Sequence, residues 1–138
     1  MPHRERTVGA VLAAAILVSI VHYVDNVAAY DAYPESETLP NPSAALIAAS
    51  WFGFTALAIA ALALLRRGRE RAAAFCLAGY SGSGLVGILH YGVGGTGDFP
   101  WWRHAHIVAD IGLGAVVLLL AVRTALRARP GGPAAHTG

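Results

Sequence analysis

The sequence is short of charge, short of cysteine and without lysine. Asp, Glu, Lys and Arg make up 13% of its 138 residues, about half the share usual in a soluble domain. All ten basic residues are arginine. So few cations exclude a nucleic-acid module despite the net charge of +2 and the pI near 9.0, because a duplex is held by many phosphate contacts at once. The single cysteine, Cys76, excludes a disulfide framework within the chain and a zinc knuckle built on thiolates. What is present is apolar: 56% of residues are hydrophobic and the mean hydropathy is +0.53. That composition belongs to an integral membrane protein of one domain, and its partner is the lipid bilayer.

Four uncharged or nearly uncharged runs stand out, at about 8–30, 44–65, 72–93 and 104–122. About twenty residues at 1.5 Å rise cross a hydrocarbon core of ~30 Å, and lipid tolerates only backbones that satisfy themselves. The runs therefore predict an all-α, four-helix transmembrane bundle, up-down-up-down, filling residues 1–128. Pro34, Pro40 and Pro42 forbid a helix between the first two runs. RRGRER turns at Gly68, and GGTGDFPWWR links the last two runs. Residues 129–138 are low in complexity and predict a disordered cytoplasmic tail.

Arginine placement predicts orientation. Arg4, Arg6, the four arginines of 66–71, Arg123, Arg127 and Arg129 flank one end of the spans, and only Arg103 lies at the other. The positive-inside rule then puts both termini in the cytoplasm of a multi-pass plasma-membrane protein. Tyr30, Tyr33, Phe99, Trp101 and Trp102 would form an aromatic belt outside. An alternative is that PHRER and Val8–Val21 form a signal peptide cleaved near NVAAYDA; that chain would keep three spans and lose His22.

Two segments echo one another: V-S-I-V-H-Y at Val18–Tyr23 and V-G-I-L-H-Y at Val86–Tyr91, 68 residues apart. The echo suggests two parallel hairpins related by an axis along the membrane normal; chance similarity between apolar runs is the alternative.

Ionisable side chains within a span cost about 2.5–3.5 kcal/mol each near its centre and mark candidate sites. Here they gather at one depth. His22, Asp25 and Asn26 share a face of the first span at i, i+3, i+4, with Ser19 a turn further in. His90 lies near the outer end of the third span, beside Tyr91. His106 and Asp110 are i, i+4 in the fourth, and the second span offers only Ser50, Trp51 and Thr55. Such a set predicts an outer-leaflet pocket. His22, His90 and His106 would be metal ligands, Asp110 or Asp25 a base or orienter, and Asn26, Ser19, Tyr91 and Trp51 pocket residues.

Several chemistries suit that inventory. Three imidazoles and a carboxylate suit zinc or non-haem iron, and an open metal position beneath the interface would favour a lipid-like substrate. A small amphiphilic ligand without metal is a second option. Bis-histidine haem is a third, with His22 against His90 or His106. A non-catalytic accessory subunit is the competing class; there the small-residue stripe Gly79, Ser83, Gly87 would receive a partner helix or a second copy. Proton conduction fits poorly, since no charge lies in the cytoplasmic half of any span.

The combination of H-Y-V-D-N at His22–Asn26, Tyr33-Pro34-Glu35, Trp51, L-H-Y at Leu89–Tyr91 and HAHIVAD at His104–Asp110 resembles a family of small bacterial four-span membrane proteins. The resemblance implies the four spans and no particular activity. The layout is also similar to the EXPERA-type fold of sterol isomerases and related receptors, in Asp25 near the end of span one, the following Tyr33-Pro34 and a polar pocket among helices. Where that family places an acidic residue in span two this chain has Ser50 and Trp51, so the likeness implies a layout without isomerase chemistry. By residue type alone, three His with Asp and Ser are similar to the seven-span CREST-type hydrolases.

Overall fold

The computed structural model describes residues 2–38 and 40–128; the expected tail at 129–138 lies outside them. The described chain is helical, with no strand. Its helices are α1 (Pro2–Ala28), α2 (Ala44–Arg66), α3 (Glu70–Leu85), α4 (Ile88–Gly92) and α5 (Trp101–Arg127). Among the described residues three helices are long and apolar enough to cross a membrane: His3–Ala28, Ala44–Arg66 and Trp101–Arg127. Their outer faces carry Leu17, Phe52, Ile59 and Leu126, each more than 60% exposed. So much bare aliphatic and aromatic surface is foreign to a water-soluble monomer and ordinary against lipid.

The third apolar run differs from expectation. It is not one helix over 72–93: α3 ends at Leu85, Val86–Gly87 form a turn, and α4 adds five residues. At this point the bonding tightens from i→i+4 to i→i+3, with Gly87 N–H donating to Gly84 O at 3.0 Å and His90 N–H to Gly87 O at 3.2 Å. Four glycines between 79 and 87 weaken the helix, and Ser81 Oγ donates back to Ala78 O at 2.6 Å, a bond that competes with the ladder. α1 starts before its apolar run and α5 passes its run at both ends, because Arg4, Arg6, Trp101 and Trp102 are themselves good enough helix residues once the apolar middle is set.

Residue pairings give the packing. Gly9 faces Leu62 and Trp51 meets Ser19, so α2 returns along α1; Gly79 faces Leu57 and Gly82 faces Phe54, so α3 returns along α2. Gly84 and Gly114 bring α3 and α5 together in the same opposed sense. α1 closes the ring against α5. A Cβ on Gly84 would overlap the Asp110 carbonyl, and one on Gly114 would stand 2.9 Å from Ser81 O. Glycine is required at this crossing. The apolar core of Val8, Leu12, Leu77, Tyr80 and Val117 fills the arginine-bearing end and the middle, and leaves the other end to polar groups.

The Gly79–Ser83–Gly87 stripe is turned inward. Gly79 rests on Leu57, Ser83 is 1% exposed with Tyr23 beside it, and Gly87 lies under His22 and Ile111. Its space is filled by this chain's own residues. The aromatic belt is likewise divided: Trp101 is exposed, whereas Tyr33 and Phe99 are buried in a small cluster with Ile107.

Candidate functional site

α1 contributes His22, Asp25 and Asn26 from one face, as their spacing requires. His22 is 2% exposed. Its Nδ1 lies 2.7 Å from Asp110 Oδ2 of α5, itself buried. A carboxylate only accepts, so it fixes the proton of a neutral His22 on Nδ1 and leaves Nε2 as the basic nitrogen.

That nitrogen faces His90 Nε2 at 3.3 Å, and Asn26 Nδ2 stands 3.1 Å from the same His90 atom. With Asn26 donating, both imidazole nitrogens turn lone pairs toward each other. Hydrogen positions and the amide orientation follow from this network: a His90 that carries its proton on Nε2 donates to His22 and takes the Asn26 carbonyl instead.

A second set adjoins the first. Arg103 Nε donates to Asp25 Oδ2 at 2.8 Å and its Nη2 to Oδ1 at 3.1 Å, a two-point clasp. Tyr33 Oη donates to the same carboxylate. Burial, then the Asp25 carboxylate, pushes the Tyr33 phenol well above its ordinary value, so it remains a donor. The guanidinium sits 4.9–5.2 Å from the rings of Tyr33, Phe99 and Trp102, where cation–π attraction adds to the ion pair. Asp25 is thus neutralised by Arg103 and hydrogen-bonded by Tyr33, and its lone pairs are engaged within the cluster.

His106 stands between the two sets. Its ring is 5.5 Å from that of His22, and its Nε2 is 3.3 Å from Asp25 Oδ2 without hydrogen-bonding alignment. Both its nitrogens are buried and, among the described residues, have no hydrogen-bond partner. Ser19 accepts from Trp51 Nε1 at 3.0 Å a turn deeper. Tyr91 lies apart: exposed, stacked on His104, its hydroxyl 3.1 Å from His104 Nδ1.

His22, Asn26 and His90 open on a cleft of about 480 Å³ between α1, α2 and α4, roofed by residues 30–36 and 40–42. Its walls include Leu46, Phe54 and Leu89, and Glu35 lies at its rim. Asp25, His106 and Asp110 stand behind the wall, not on it.

The metal and haem expectations meet this geometry differently. Among the described residues no group of three or more His, Cys, Asp or Glu side chains is disposed to hold a metal ion. His22 spends Nδ1 on Asp110, and His106 is not aligned with the His22–His90 pair. Nothing here supports bis-histidine haem: His22 Nε2 and His90 Nε2 face each other at a hydrogen-bonding 3.3 Å, and His22 Nδ1 is engaged by Asp110.

Sequence reasoning missed Arg103 and Tyr33. A lone arginine at the acid-bearing end, beside an Asp already placed inward, was the available signal. Comparison with protein-family models, with curated proteins and with solved structures finds no match to this chain.

Proposed function

We propose that this chain is a four-span integral membrane protein with both termini cytoplasmic, α3 and α4 together making the third crossing. Its cleft lies beneath the outer interface and binds a small amphiphile, with the His22–Asp110 dyad placed to act on the ligand's head as general base. The observation that carries this reading is the division of labour at His22: Nδ1 is held by Asp110 while the ring borders the cleft.

The cleft also selects. It offers hydrogen-bonding groups from His22, Asn26 and His90, mostly apolar walls, and the acidic Glu35 at the rim. The nearest cation, Arg103, is consumed by Asp25. An anionic head finds no counter-charge there, so the ligand is a single-chain alcohol, carbonyl compound or amide.

Thermal unfolding of purified protein in neutral detergent, with hexadecanol or hexadecyl phosphate added, tests the binding. Hexadecanol is expected to raise Tm in the wild type and to do so far less in Asn26→Ala and His90→Ala. A larger rise with hexadecyl phosphate, or an equal one in the variants, overturns the reading. Intact mass checks that residues 1–28 are retained.

A second reading, a non-catalytic structural subunit, draws on the polar contacts that tie α1 to α5. It requires His22→Ala to unfold the bundle; a stable variant that has lost only hexadecanol binding counts against it.

A further inference from the structure

At the far end of the bundle from the histidines, a groove of about 260 Å³ opens between the first turns of α1 and the last turn of α2. It is lined by Glu5, Arg6, Gly9, Leu62 and Arg66. Its floor is apolar, formed where Gly9 lets α1 approach Leu62. Its rim is charged and unsatisfied. Among the described residues no hydrogen bond or ion pair engages the guanidinium of Arg6 or of Arg66. Arg4, two residues earlier on α1, is different: Glu70 of α3 holds it. Two exposed guanidiniums with all their donors free, and one carboxylate, therefore converge on one depression of net charge +1.

A guanidinium pairs with a phosphate oxygen pair through two parallel N–H donors, and two guanidiniums saturate one phosphodiester. Below the groove α1 and α2 turn bare apolar side chains outward, Leu17 and Ile59 among them. A ligand that brings a phosphodiester to the rim while its hydrocarbon lies on those faces is a phospholipid. The net charge of the groove matches a monoanion, and Glu5 accepts a hydrogen bond from a hydroxylated head while repelling a second negative charge. We propose that this groove is a binding site for a monoanionic phospholipid with a glycerol-type head. It is separate from the histidine cleft and does not depend on what that cleft binds.

Native mass spectrometry of the full chain, released from neutral detergent and titrated with phosphatidylglycerol or phosphatidylcholine, reads the site directly. Phosphatidylglycerol is expected to stay bound where phosphatidylcholine is lost. Arg6→Gln with Arg66→Gln should weaken its retention by on the order of tenfold or more, since each basic group near a lipid surface contributes substantially. Arg67→Gln with Arg69→Gln removes the same charge outside the groove and should leave retention within about twofold. Glu5→Gln should improve retention of the dianionic phosphatidic acid. Equal loss in both double variants would mean diffuse attraction to the basic end and overturns the site. So does equal retention of phosphatidylcholine, or competition by free glycerol phosphate, which would mark a soluble-phosphate site instead. All five residues are exposed or half-buried, so thermal midpoints of the variants should stay near the wild type and keep any loss attributable to binding.

Discussion

A guanidinium buried among three aromatic rings keeps its place only while a carboxylate neutralises it, and Arg103 depends on Asp25 in this way. The dependence is mutual. Removing one partner of a buried pair strands the other charge, at about 3–5 kcal/mol, whereas keeping the charge but losing one of two hydrogen bonds costs nearer 1 kcal/mol. Arg103→Ala is therefore expected to lower thermal stability in detergent much more than Arg103→Lys; an alanine variant as stable as wild type would show the clasp contributes nothing. Asp25 was legible from sequence as an inward group, since its i, i+3, i+4 spacing with His22 and Asn26 fixes their common face. Its partner was not. Arg103 stands next to Trp101 and Trp102 in a segment whose charge reads as interfacial, and only the turn of α5 that buries it beside Tyr33 and Phe99 reveals the pairing. Tyr91 illustrates the converse: adjacent to His90 in sequence, it points out of the cluster because neighbouring helical residues diverge by about 100°.

Elements were legible where apolar length alone decides them, and less so where packing does. The spans of α1, α2 and α5 follow from long runs that nothing interrupts. The third run is uncharged too, but glycine and serine make it less apolar than the others, and it breaks at Val86–Gly87. Composition shows its glycines, but their purpose appears only when α5 lies across them. Gly84 and Gly114 let the two backbones come close enough for Asp110 to reach His22 across the bundle, so the same crossing that interrupts α3 builds the dyad. Glycine substitutions at this crossing should accordingly cost more than glycine substitutions elsewhere. Gly84→Ala and Gly114→Ala force backbone against methyl, with about 1–3 kcal/mol lost, and more at Gly84 where the carbonyl cannot yield. Gly53→Ala and Gly112→Ala meet nothing within 4 Å and should be neutral or stabilising by about 0.5–1 kcal/mol through helix propensity. Matched thermal melts of the four variants separate these outcomes. Equal behaviour in both pairs would mean that the α3–α5 approach is not as close as described.

On the scale of the whole molecule, the two ends carry opposite kinds of polarity. At one, Arg4 meets Glu70, so the start of α1 lies beside the turn at Gly68, and free arginines line a groove. At the other, Asp25, Asp110 and three imidazoles are enclosed by helix and roofed by the proline-containing segment. The sorting was readable from charge counts because orientation in a bilayer depends on where cations fall and hardly on how helices pack. Closure of the acidic end was not, since a roof formed by Tyr33, Pro34 and their neighbours depends on how a loop folds back. The proposed topology places the arginine end in the cytoplasm and the cleft outside, and thiol labelling reads this in intact cells. In a Cys76→Ser background, Glu37→Cys in the roofing segment should react with a membrane-impermeant maleimide added outside. Arg69→Cys, at the basic turn, should react only after permeabilisation. Reaction of both from outside, or of Arg69→Cys alone, would invert or dissolve the proposed orientation. The amphiphile would then have to reach the histidine cleft from the cytoplasmic leaflet, and the phospholipid groove would face the exterior.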